Sequence, residues 1–145
     1  MDVREANRLC DAIARGAASL PEIQAAFLFG SHARGRARDE SDIDVAVLLD
    51  GSLAPDDART RLRRVLEALA AQIAAERLDV VILNDAPPAL AFQVLKYGKL
   101  ALARDATALH RFRVNTYGRH SDFQSTERFF RQATRGRALP GRGHG

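Results

Sequence analysis

Apolar residues recur at spacings of three and four through the first twenty positions: Val3, Ala6, Cys10, Ile13, Ala17 and Leu20 form one stripe. That period predicts an amphipathic helix, interrupted near its end by Gly16 and stopped by Pro21. The pattern then changes. Ala25 to Phe29 is a continuous apolar run ending at Gly30-Ser31, which predicts a buried strand feeding a turn. Residues 32–40 are polar and punctuated by Gly35, a loop or short helix. Ser41 to Leu49 is rich in β-branched residues and closes at Asp50-Gly51, a second strand. Pro55-Asp56-Asp57 opens a helix that Leu62, Val65, Leu66, Leu69 and Ile73 carry to about Glu76. Leu78 to Leu83 is a third strand, closed by Asn84-Asp85. Pro87-Pro88 starts a further helix, marked by Leu90, Val94 and Tyr97 and capped by Gly98. Leu100 to Leu102 adds a short edge strand. From Thr107 to Ala133 the pattern is helical again, with a break or bend at Gly118, and residues 136–145 read as a disordered tail. The order predicts an α+β (or α/β) domain: a small mixed β-sheet flanked by helices.

Composition narrows the class. A chain of 145 residues with 46% hydrophobic and 28% charged positions is globular, and long enough for one domain with an appendage. Its one cysteine, Cys10, excludes an internally disulfide-stapled scaffold and, on the helix stripe, reads as a small core residue. No apolar run reaches the ~20 residues of a membrane span, and the first residues lack a basic and apolar leader, so no signal peptide and a cytoplasmic location are expected. The net charge of +4 is uneven: residues 105–145 hold 8 Arg against 3 acidic groups. Arginine suits recognition of carboxylates and phosphates, so this segment fits an acidic protein surface, while direct nucleic-acid binding rests on nothing else.

The chemistry concentrates on Asp42-Ile43-Asp44-Val45-Ala46-Val47. Side chains alternate along a strand, so Asp42 and Asp44 share one face and Ile43, Val45 and Val47 the other. Two carboxylates about 7 Å apart on one face repel, and a divalent cation removes that repulsion. Asp79, near the start of another apolar strand, joins them if the two strands are neighbours. Three carboxylates are hard ligands for Mg²⁺ or Mn²⁺. The four histidines show no zinc-ligand spacing. Gly30-Ser31 follows the first strand directly: glycine admits a phosphate to the backbone and the Ser31 hydroxyl donates to it. Gly30 and Gly35 have the spacing that opens a phosphate-binding P-loop, but Arg36-Ala37 stands where that loop needs Lys-Ser/Thr, which excludes it. His32 reads as an ordinary loop residue.

Gly30-Ser31, ten residues, then Asp42-Ile43-Asp44 resembles the signature of the DNA polymerase β-type nucleotidyltransferase superfamily. Ala33-Arg34-Gly35-Arg36 and Ser41-Asp42-Ile43-Asp44 resemble, more narrowly, the minimal nucleotidyltransferase (MNT) antitoxins of HEPN/MNT toxin–antitoxin pairs. The resemblance implies a transferase domain over residues 1–104. It implies transfer of AMP from ATP to a tyrosine of a cognate HEPN ribonuclease toxin, which is thereby neutralised. In that scheme Asp42 and Asp44 hold two Mg²⁺ ions, Asp79 binds the ion beside the acceptor and takes its proton, and Gly30 and Ser31 hold the β- and γ-phosphates. Arg34 stabilises the departing pyrophosphate.

Residues 105–135 form a helical extension suited to docking a partner or a second copy, with Phe112, Phe123, Phe129 and Phe130 as anchors. Two other functions are compatible with the residues: an antitoxin acting by binding alone, and a transferase for a small molecule such as an antibiotic. Arg113 and His120 loosely resemble a HEPN ribonuclease pair, but Ser121-Asp122 breaks that pattern.

Overall fold

A computed structural model describes residues 3–35 and 42–119. Four strands form one sheet in the order β3-β2-β1-β4, with β1 spanning Ile23–Phe29, β2 Ile43–Leu49, β3 Leu78–Ile82 and β4 Lys99–Ala103. β1 runs antiparallel to β2 and β4, whereas β2 and β3 are parallel. The helices are α1 (Val3–Ala18), α2 (Ala58–Ala70), α3 (Pro88–Tyr97) and α4 (Ala106–Arg119). The parallel pair requires a crossover, and α2 supplies it.

The two central strands are buried on both faces, and successive side chains feed two cores. Ile43, Val45 and Val47 join Ala26, Leu28 and Ile82 against α1 and α2. Ala46 and Leu48 join Phe27, Phe29, Val94 and Leu109 against α3 and α4. Gly16 is no defect in α1: a Cβ there would stand 2.9 Å from the Ala68 carbonyl oxygen, so glycine is what lets α1 and α2 touch. Cys10 packs partly buried on the first core, and burial raises its thiol pKa, as befits a structural cysteine.

Several boundaries differ from the sequence pattern. β1 begins at Ile23, ahead of the apolar run. α2 stops at Ala70, short of Glu76, and residues 75–77 form a separate 3-10 turn. α2 starts at Ala58, after Pro55-Asp56-Asp57, where the Asp57 carboxylate accepts from Thr60 N and Oγ1, both at 2.8 Å. Asn84 closes the sheet by accepting from the Leu49 N–H and donating to the Leu49 carbonyl, each at 2.8 Å. α4 includes Gly118, one position before its last described residue, Arg119. Phe112 packs partly buried against the second core. The helical pattern beyond Arg119, the tail, His120, Phe123, Phe129 and Phe130 lie outside the described residues, as do Arg36 and Arg38. Among the described residues no helix is long and apolar enough to cross a membrane.

Candidate active site

The register of the sheet assembles the site. Asp44 of β2 pairs with Phe29 of β1 on one side and with Asp79 of β3 on the other. Residues abreast in a sheet point to the same face, so the Asp44 and Asp79 carboxylates rise together on the side covered by α3 and α4. Asp42 lies one residue before β2, two positions from Asp44 and half-exposed. Strand alternation gives it that face too. Asp44 is 7% exposed. Carboxylates set abreast on neighbouring strands repel each other.

Gly30 ends β1 with φ +77°, a backbone conformation that side chains resist. The space is closed as well: a Cβ on Gly30 would fall 2.1 Å from Asp44 Oδ2. The Asp44 carboxylate therefore lies directly against the Gly30 backbone. The chain then makes a tight turn through Ser31, in which Arg34 N donates to the Gly30 carbonyl at 3.3 Å and Gly35 N to the His32 carbonyl at 3.4 Å. His32 is not the surface loop residue its sequence setting suggests. It is fully buried, so the turn is held from within. The Arg34 side chain is exposed and folds back so that Nε donates to the same Gly30 oxygen at 3.4 Å.

The donor set on this face, three carboxylates, suits a hard divalent cation. As the side chains stand, no three acidic, histidine or cysteine groups converge as a metal cage among the described residues. Asp44 leans on Gly30 instead. Asp44 and Asp79 stand on neighbouring strands, ~4.8 Å apart in a sheet, a spacing from which two carboxylates serve one hard cation.

Sequence reasoning missed the wall opposite the acids. A cavity of about 20 Å³ is lined by Phe29, Gly30, Arg34, Gln93, Val94 and Tyr97. Tyr97 looked like part of an apolar stripe, yet its side chain is about half exposed at this cavity. Gln93 is 8% exposed. Its signal was available: a polar residue inside an α3 segment that is apolar and buried on both sides of it.

The sequence matches the family "Polymerase beta, Nucleotidyltransferase" over residues 11–107. No protein of curated function matches it. Among solved structures, a toxin–antitoxin complex with AMP-PNP is similar at 25% identity and TM-score 0.60, covering 89% of this chain and 97% of that one. A MntA–HepT toxin–antitoxin complex is similar at 23% identity and TM-score 0.55, covering 92% and 98%. A tri-AMPylated Shewanella oneidensis HEPN toxin in complex with MNT antitoxin is similar at 23% identity and TM-score 0.55, covering 90% and 97%. The last two likenesses concern the fold.

Proposed function

The chain belongs to the polymerase beta nucleotidyltransferase family, and we propose that within it this protein is the antitoxin of a toxin–antitoxin pair, a magnesium-dependent enzyme that transfers AMP from ATP to a tyrosine of a cognate HEPN ribonuclease toxin. The observation that carries the transferase half is the Asp44–Asp79 register beside the left-handed turn at Gly30. The toxin half rests on the neighbours: one is a toxin–antitoxin complex with AMP-PNP, another contains an AMPylated HEPN toxin.

Asp42, Asp44 and Asp79 would hold the magnesium, which when bound neutralises charge on the triphosphate and lowers the pKa of the attacking hydroxyl. Asp79 stands at the side from which the acceptor oxygen approaches and takes its proton. The new bond forms between that oxygen and the α-phosphorus, and the bond from the α-phosphorus to the pyrophosphate oxygen breaks. The backbone at Gly30 and the Ser31 hydroxyl hold the β- and γ-phosphates, where a side chain on residue 30 would collide with Asp44. Arg34, already folded over Gly30, offsets charge on the departing pyrophosphate. Residues 1–104 constitute the transferase unit, and the arginine-rich segment from 105 onward meets the toxin.

The test is incubation with ATP, Mg²⁺ and a HEPN-domain protein encoded beside this one, followed by intact-mass measurement of the partner. The expected gain is one or more AMP units of about 329 Da each, abolished in the folded double variant Asp42→Ala, Asp44→Ala. An unmodified partner that is nevertheless neutralised, with the double variant equally protective, refutes transfer in favour of binding alone.

A further inference from the structure

The turn after β1 is weakly held by its own hydrogen bonds. Arg34 N meets the Gly30 carbonyl at 3.3 Å, Gly35 N meets the His32 carbonyl at 3.4 Å, and Arg34 Nε reaches the Gly30 carbonyl at 3.4 Å. Backbone N–H···O bonds cluster nearer about 2.9–3.0 Å. Gly30 takes its φ of +77° without cost, and for the same reason glycine leaves such a conformation easily. Something else must fix the backbone there. Among residues 30–35, Gly30, Ser31 and Ala33 are partly buried, Arg34 and Gly35 are exposed, and only His32 is enclosed, at 0% exposure.

The choice of residue at that point is informative. A leucine of similar bulk would fill the space without taking two ring nitrogens out of water. An enclosed imidazole is hydrogen-bonded inside the protein in native structures. Such a bond fixes the direction of the ring, which an apolar side chain leaves to packing alone. Ser31 is the next residue in the chain and Gly30 the one before it, so a fixed ring at 32 fixes their backbone. We infer that His32 is a positioning residue of the transferase reaction: its enclosed ring holds Gly30 and Ser31 in the conformation that receives phosphate. The inference rests on the transferase reading above. It goes beyond that reading in assigning a residue whose burial keeps it away from nucleotide and acceptor alike.

Three variants of the full chain test it: His32→Leu, which keeps the bulk, and His32→Asn and His32→Gln, whose amide nitrogens stand near the positions of Nδ1 and Nε2. ATP affinity is measured by calorimetry with Mg²⁺, and amide hydrogen exchange is followed along the chain. In His32→Leu, ATP affinity is expected to fall about tenfold. Exchange quickens at residues 30–35 and stays as it was in β1 and β2. One of the two amide variants, the one that replaces the bonded nitrogen, recovers most of the affinity. A merely structural role predicts otherwise: affinity follows the melting temperature, and any faster exchange spreads through the sheet. That result, or a folded His32→Leu that binds ATP as the unaltered chain does, overturns the inference. If His32→Leu does not fold, the amide variants decide, and equal affinity in the two overturns it. An unaltered chain that binds no ATP refutes the transferase reading itself.

Discussion

The two faces of the sheet carry different groups. On the side of α1 and α2, Glu22 is 4% exposed and is answered at once: Arg64 of α2 donates to it through Nε at 2.7 Å and through a terminal nitrogen at 3.2 Å. The rest of that side is aliphatic packing around Ile43, Val45 and Val47. On the side of α3 and α4, Asp44 and Asp79 are set abreast, and Gln93 and Tyr97 line a small cavity beside Gly30. One face is built for stability. The other gathers the acids of the candidate site.

Substitutions one strand position apart should therefore separate stability from chemistry. The largest effect is expected for Asp44→Asn: AMP transfer falls on the order of a thousandfold, while the chain remains folded. Val47→Ala on the opposite face should do the reverse. Urea denaturation is expected to show a loss of about 2 kcal/mol for the deleted methyl groups, with turnover per folded molecule retained. If Val47→Ala abolished transfer without destabilising the chain, the division between the faces would not hold.

A smaller effect concerns acid. The Arg64 hydrogen bond holds the Glu22 carboxyl below its ordinary range. A carboxyl with a lowered folded pKa adds stability that is fully present above its unfolded pKa, about 4.3, and is lost as pH falls through the folded value. Thermal melts between neutral and acidic pH should show this loss in the unaltered chain. In Glu22→Gln that part of the acid slope is absent and stability near neutrality is somewhat lower. Equal slopes in the two chains would show that the pair contributes nothing to folding.

Much of this was legible in the residues. The Asp42-Ile43-Asp44 alternation and the Gly30-Ser31 turn are local features, and local backbone geometry acts on neighbours in the chain. Helix ends were less legible. α2 stops at Ala70 although apolar spacing continues to Ile73, because Ile73 reaches the core from outside the helix. The burial of His32 could not be read from a polar stretch, since only the packing of the turn against the body of the protein buries it.

By itself the sequence determined that Asp42 and Asp44 share one face of their strand and that the chain turns at Gly30-Ser31, because side-chain alternation and turn preference are local properties of the backbone. Only the tertiary structure decided that Asp79, beyond α2, stands level with Asp44, and that α3 lays Gln93 and Tyr97 beside Gly30. Strand register and helix docking are settled by packing among segments far apart in the chain. A one-residue slip of β3 would have turned Asp79 to the aliphatic face with no change in its local pattern.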